Sequence, residues 1–500
     1  MVFEPVYEKA NSLCTKKENP TQLVVENVFT LDNSEEILKI DSCCSVTKSE
    51  IVEGNIRVDG KVEYKVLYFD LDHNLKCEKL SADFDLKTPT TSKNAEIVVD
   101  CSVVDSGISS QNNGEIKITS VLDFSFTLFI NEEVTLLSPS SRGFYLKDGQ
   151  ERFVECKKKD KIRTEYSLNE KTALDEIVCS SAFLVITKRS PMVESVNIEG
   201  EIILENVGVK NGDIACQTIT MPFVETFECE NASYGDLLLA SGVVTFCDSV
   251  IVEQEDGKKI DGVVKCTFDI GLYKESEINC AVDIFSVSHQ LLPTIKNHTV
   301  CEKIGNYTVL ERVDGTVKLA DNMPACDVVL ATCGNECIIN STSVEDGCVK
   351  MEGVVVGKLI YSCASPSQTV STSLSVPFSL SALLPVKSSD SVDIKGIVTS
   401  LVCRVRRGNE IDVKADIALD VKVFSNKEIV VISSLEQGEE IITPTSAFSV
   451  YIAQGGETKW EVSAILGVSP ESISESNALE FPLNKGDRVT VYRALDSKKI

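Results

Sequence analysis

The residues able to do chemistry are few and poorly placed for it. Histidine occurs three times, at His73, His289 and His298, and no two of them stand at metal-ligand spacing. His73 falls in a polar turn, and His289 and His298 flank a stretch that reads as a linker. Cysteine is abundant, nineteen residues in all, but scattered singly from Cys14 to Cys403. Only Cys43-Cys44 and the spacing Cys333-x3-Cys337 bring two close together. A structural zinc site wants two well-spaced Cys/His pairs, and here the second is missing. A disulfide framework belongs to small secreted chains, which 500 residues is not. The expectation is reduced thiols serving as small apolar core residues, with Cys333 and Cys337 a remnant of metal or redox spacing at most. There is no phosphate loop, no nucleophile elbow and no HExxH. Asp and Glu are plentiful but alternate along strand-like runs, as solvated faces do. No enzyme, no cofactor and no metal are expected.

Function must then lie in surfaces, and charge narrows the choice. There are 49 basic and 76 acidic residues, a net charge of −27. Phosphate backbones repel such a surface, so nucleic acid is not an expected partner. Anionic membranes are disfavoured for the same reason. Acidity keeps a sticky β-rich protein soluble, and it would also suit a basic protein partner. The opening MVFEPVYEKANSLC carries Glu4 and Glu8 where a secretory signal would be basic, and no apolar run follows. No stretch approaches the ~18 apolar residues of a membrane-spanning helix.

The elements that would present those surfaces repeat three times. An apolar–acidic–Gly triplet recurs as Val58-Asp59-Gly60, Ile198-Glu199-Gly200 and Met351-Glu352-Gly353. Apolar residues continue with period two after each glycine: Val62, Tyr64, Val66 and Tyr68 in the first copy, Ile202 and Leu204 in the second, Val355, Leu359 and Tyr361 in the third. That is the pattern of a half-buried strand. The second copy is the most eroded, at Asn206 and Gly208. A phenylalanine follows each glycine at Phe84, Phe223 and Phe378, twice after proline (Pro222, Pro377), which suits an edge or the start of a strand. Each copy closes on a second alternating run, through Ile116 to Leu128, Ile260 to Ile270, and Ile411 to Val423. Helical periodicity is nearly absent. The chain is expected to be mainly β, with three tandem antiparallel sandwich- or barrel-like domains at 1–155, 156–296 and 297–442. Breaks are expected near 138–143 with the basic 157–161, near 293–298, and near 443–446.

A different module, 446–497, closes the chain. Phe448, Val450 and Ile452 alternate as a strand, and Gly455-Gly456 makes a turn. Thr458 and Glu461 have the spacing of a capping box. Trp460, Ala464 and Ile465 are expected on one apolar helix face, ended by Gly467. Ser469-Pro470-Glu471 starts a second helix with Pro at its first position, and Ile473 gives it an apolar contact. A Lys485-Gly486-Asp487 turn leads to the strand from Val489 to Tyr492. The order is β-α-α-β. Its order and spacing resemble the LysM domain, with Gly456, Glu457, Thr458, Trp460, Gly467, Val468, Ser469, Asn477, Leu483, Gly486 and Val489 in matching positions. It departs from that pattern at Lys459, where an apolar residue is usual, in the helix after Trp460, and at Gly486-Asp487, which stands for Gly-Gln. The repeats in turn resemble the SPOCS-type domain, formerly of unknown function, found upstream of LysM in spore-forming clostridia.

Together the parts resemble clostridial spore coat morphogenesis proteins. That resemblance implies a non-enzymatic scaffold or adaptor in the mother cell cytoplasm, at the forespore surface and spore coat. It implies that the LysM-like domain docks a coat morphogenetic ATPase of the stage IV sporulation protein A type, with other coat proteins as further partners. The alternative is a cell-wall protein holding peptidoglycan or another N-acetylglucosamine glycan. Either ligand is expected at Gly456, Glu457, Thr458, Lys459, Asn477 and Leu483, with Glu457, Lys459, Asn477 and Leu483 exposed. Lys459 would weaken a sugar contact and favour a charged contact to protein.

Overall fold

Each repeat folds as a long strand, a three-stranded meander and a closing hairpin. The computed structural model describes residues 2–31, 34–92, 95–112, 114–255, 257–364, 367–407, 409–441 and 448–492, without the side chains of 110–112, 364 and 367. The break expected near 443–446, and the ends of the last module at 446–447 and 493–497, lie outside the described residues. Strands hold 79% of the described residues and helices 3%, which puts the chain in the mainly β class. In the first repeat the long strand is split in two, β1 (Tyr7–Lys17) and β2 (Thr21–Thr30). The meander is β3 (Ser34–Val52), β4 (Asn55–Asp70) and β5 (Leu75–Pro89), and the hairpin is β6 (Glu96–Asn112) with β7 (Glu115–Leu137). The second repeat has β8 (Tyr145–Lys171), then β9 (Glu176–Met192), β10 (Ser195–Lys210) and β11 (Asp213–Glu228), then β12 (Leu237–Gln254) and β13 (Gly257–Phe285). The third has β14 (His289–Lys318), then β15 (Val328–Glu345), β16 (Cys348–Ala364) and β17 (Ser367–Leu383), then β18 (Ser391–Arg407) and β19 (Glu410–Glu440).

In the first two repeats the meander forms one antiparallel sheet and the long strand pairs with the hairpin in another; in the third the two layers are laid out alike but join at Cys337–Gly396, between β15 and β18, into one six-stranded sheet. The inner faces of the two sheets interdigitate. The first sandwich core joins Val58, Val62 and Tyr64 of β4 to Ile118, Phe124 and Phe126 of β7. The second joins Ile198 and Ile202 of β10 to Val264 and Phe268 of β13. The third joins Val355 and Leu359 of β16 to Val413 and Leu419 of β19. The period-two runs of the sequence are these inner faces.

The repeated glycine has a steric cause. Gly60, Gly200 and Gly353 lie opposite Phe84, Phe223 and Phe378 across the strand pair. The ring lies flat over the glycine, so that a Cβ would stand 2.7 Å from Phe223 Cζ and 2.6 Å from Phe378 Cζ. On the other side a bulge in the neighbouring strand pushes a carbonyl into the same space, from Ser45, Val185 and Ile338 respectively. Thr47 and Thr187, the bulged residues of the first two copies, bond back to the carbonyls of Asp59 and Glu199. Pro222 and Pro377 lie on β11 and β17, which are edge strands, as expected.

The repeats are not beads on a string. Leu67, Val207 and Ile360, each seven residues past its glycine, point away from their own sandwich and into one shared cluster with Leu38, Cys179 and Cys333. A second shared cluster gathers Leu13, Phe129, Val154, Tyr273, Cys301 and Phe424. Beyond it the far ends of the three long strand pairs close on Ala10, Val134, Phe153, Cys280, Val300 and Val431. This double burial explains the eroded second copy: β10 is buried on both faces from Ile202 to Gly208, so alternation vanishes there. It also corrects the expected breaks. The chain passes 155/156 inside β8 and 296/297 inside β14, and 293–298 is paired strand rather than linker. The turn between the second and third repeats is Ser286 to Ser288.

Polar groups are trapped where the repeats meet. Arg189 of β9 donates to Asp420 of β19 at 2.6 Å, to Thr308 of β14 at 2.8 Å, and to the Ala240 carbonyl at 2.9 Å. Lys39 is 5% exposed and pairs with Asp41. Facing them are Glu205, which accepts from Asn335 at 2.9 Å, and Glu336. The segment Cys333-Gly334-Asn335-Glu336-Cys337 bulges out of the β15–β16 ladder to reach this junction. Its thiols serve different contacts, Cys333 at the junction and Cys337 against Gly396. All nineteen cysteines are free thiols and only Cys43 is exposed. Among the described residues no His/Cys/Asp/Glu group could hold a metal ion.

Two outcomes are expected. Gly200→Ala forces a methyl between the Phe223 ring and the Val185 carbonyl, and should cost about 1–3 kcal/mol in denaturant unfolding. Burial, with Asp41 adding to it, pushes the Glu336 carboxyl up to about 7. The folded state then binds this proton more tightly than the unfolded chain. Its stabilising effect is present below about pH 4.3, the unfolded value, and is lost as pH rises through 7. Glu336→Gln should flatten the pH dependence of stability over that window and raise the midpoint at pH 8.

Candidate binding module

The last described segment builds its own small core. β20 (Phe448–Ile452) pairs antiparallel with β21 (Arg488–Tyr492), and α1 (Lys459–Leu466) and α2 (Pro470–Ser476) lie between them in sequence. Ala453, Val462, Val468, Ile473, Leu483, Val489 and Val491 bury together. The capping box forms as the spacing requires: the Glu461 amide bonds Thr458 Oγ1 at 3.3 Å, and the Thr458 amide bonds Glu461 Oε2 at 2.7 Å. Gly467 takes φ 60° and closes α1. Ser469 caps α2 with Pro470 at its first turn.

The buried face of α1 differs from the expected one. Val462 and Ser463 are buried, while Ala464 is exposed and Ile465 is 61% exposed. The helix is rotated because Trp460 leaves the module altogether. Its ring meets Phe285 edge-on, centroids 4.7 Å apart, and its Nε1 donates to Asp283 at 2.7 Å. Phe285 in turn stacks on Tyr145 at 5.0 Å. The only tryptophan of the chain thus ties the module to the free end of the β8–β13 pair. Sequence reasoning missed Asp283 and Phe285, since nothing local to β13 signals a contact with a helix 177 residues away.

The six candidate ligand contacts divide sharply. Gly456, at φ 98°, donates its amide to the Leu483 carbonyl at 2.7 Å, and the Leu483 amide donates to the Glu457 carbonyl at 3.0 Å. The two loops are thereby clamped together. Glu457 accepts from the amides of Gln454 and Gly455 and from the Tyr451 hydroxyl, and the amides hold its carboxyl below the usual range. Thr458 is used by the cap. Lys459 is exposed and reaches Ser474 of α2 at 3.3 Å. Asn477 gives its whole amide to β21, donating to the Thr490 carbonyl and accepting from the Thr490 amide, both at 2.7 Å. Leu483 is 2% exposed, so its side chain belongs to the core and not to a surface contact. What remains open is one edge: Gly455, Gly456, Thr458, Lys459 and Pro482.

Because Trp460 is unique, its emission reports the docking. Asp283→Ala and Phe285→Ala should shift tryptophan fluorescence to the red by loosening that contact, while leaving the main unfolding transition in place. An unchanged spectrum in both variants would contradict the contact.

Comparison with known proteins adds one assignment. No curated protein and no solved structure matches the chain. Residues 34–128 match the family model described as SipL, SPOCS domain. The matched span begins at the first residue of β3 and ends on Leu128, a core residue of the first sandwich, so it holds that repeat's meander and most of its hairpin. The match supports a sporulation protein of the SipL, SPOCS-domain type.

Proposed function

We propose that the chain is a non-enzymatic adaptor of spore coat assembly, acting in the mother cell at the forespore surface. In this reading its last module is a LysM-type domain that docks a coat morphogenetic ATPase of the stage IV sporulation protein A type. The three repeats carry contacts to other coat proteins. The observation that carries the reading is the SPOCS match over 34–128 on a strand order that recurs twice more, followed by a module with a separate core. Clusters shared by the repeats pack them against one another, which supports the scaffold reading. The module meets that body through Trp460 and keeps the 455–459 edge open.

Charge favours protein over sugar as the occupant of that edge. Between Phe448 and Tyr492 the chain carries Glu457, Glu461, Glu471, Glu475, Glu480 and Asp487 against Lys459, Lys485 and Arg488. Acidic residues interspersed with the exposed Lys459, Lys485 and Arg488 would steer and register a charged protein surface. A sugar site gains from apolar stacking, and Lys459 stands where that would come.

The test uses the full-length chain and the purified ATPase. The wild-type chain should bind it, and Lys459→Glu should weaken binding about tenfold, the effect of losing one ~1.4 kcal/mol contact. Neither protein should sediment with purified peptidoglycan. A wild-type chain that pellets with peptidoglycan and ignores the ATPase would establish the glycan reading instead.

A further inference from the structure

Two thiols of the first repeat occupy a position that the other repeats fill differently. On β3, Cys44 lies opposite Val62, two residues past the repeated glycine; Leu184 and Cys337 hold the same place opposite Ile202 and Val355. On the facing hairpin Cys101 lies opposite Phe124, where Gly242 and Gly396 lie opposite Phe268 and Leu419. In the second and third repeats one side chain presses on a glycine. A Cβ at Gly242 would stand 2.5 Å from Leu184 Cδ2, and one at Gly396 would stand 2.5 Å from Cys337 Sγ.

That position has the dimensions of a disulfide. In the third repeat Cys337 and Gly396 are paired strand neighbours. Such pairs hold their Cα atoms about 4.5–5.5 Å apart, inside the about 4.4–6.8 Å that a disulfide spans. In the first repeat two side chains of moderate size share the space that elsewhere takes one side chain and a glycine. Both pack on the same sandwich core, where β3 and β6 run against each other. The neighbouring Cys101 thiol, helped by Lys395 of the third repeat, holds Cys44 below the ordinary thiol value. The same proximity, with burial, pushes Cys101 up.

We infer that Cys44 and Cys101 form a redox site, which a hydroperoxide converts to a disulfide stapling the two sheets of the first sandwich. With hydrogen peroxide, the Cys44 thiolate attacks one oxygen, the O–O bond breaks, and the leaving hydroxide takes a proton to become water. Cys44 is then a sulfenic acid. The sulfur of Cys101 attacks the sulfur of Cys44, its proton leaves with the displaced hydroxide, and the S–S bond forms with a second water. Two thiols lose two electrons and one peroxide gains them. The cross-link ties β3 to β6, which no ladder joins in this repeat. It also restrains the unfolded chain between residues 44 and 101.

The test treats the full-length protein with stoichiometric hydrogen peroxide, denatures it, blocks free thiols with N-ethylmaleimide, and maps tryptic peptides. The expected result is one peptide joining residues 40–48 to residues 94–117, and two fewer free thiols than the original nineteen. A rise of a few degrees in unfolding temperature, reversed by dithiothreitol, should accompany it. Cys43→Ser should keep the link and Cys101→Ser should abolish it. The inference is overturned if wild-type Cys44 and Cys101 are alkylated or oxidised separately, or if Cys43 carries the link. The wild-type map decides this even if a variant folds poorly.

Discussion

The structure depends on burying both faces of the meander strands. One face of β4, β10 and β16 fills its own sandwich, as alternation requires. The other face carries Leu67, Val207 and Ile360 into a cluster that all three repeats must be present to complete. Fully burying such a side chain stabilises by about 1.5–3 kcal/mol, and a single repeat would leave all of it in water. Long strand pairs continue the same logic at the other end, where Phe153, Val300 and Val134 meet. The repeats are therefore three domains in sequence and one body in packing.

Close packing at the junctions imposes the chemistry seen there. Lys39 pairs with Asp41 of its own repeat, Glu205 of the second repeat accepts from Asn335 of the third, and Glu336 is buried beside them. Removing one member of the Lys39–Asp41 pair leaves the other uncompensated, which costs far more than the pair contributes to stability. Cysteine suits these places because a thiol is small, apolar and undemanding of hydrogen bonds. At the Cys44–Cys101 position two thiols fill the space that Leu184 and Gly242 fill in the second repeat.

How much of this was legible follows from which contacts are local. The glycine and the phenylalanine some two dozen residues later could be read as a repeat because cross-strand pairing puts them face to face. The capping box of Thr458 and Glu461 and the cap at Gly467 could be read because they involve a few neighbouring residues. The buried face of α1 could not, since Trp460 points to Asp283 in another repeat. Pro293 and His298 looked like a linker because the sequence shows a polar, proline-bearing stretch and not the β19 ladder that holds it. Leu483 reads as a surface residue because the loop around it is polar, yet the module's core needs it. Among the ligand contacts read from sequence, Gly456, Thr458 and Lys459 stay exposed, whereas Glu457, Asn477 and Leu483 are consumed internally.

The SPOCS match over residues 34–128 points to sporulation, and the proposed adaptor role adds to it a task for the last module. The most direct measurement is the position of a fluorescently tagged chain in sporulating cells, with and without residues 448–492. The account predicts a mother-cell signal that encircles the forespore and becomes diffuse when the module is removed. A signal at the cell wall, or a forespore ring that persists without the module, would contradict it.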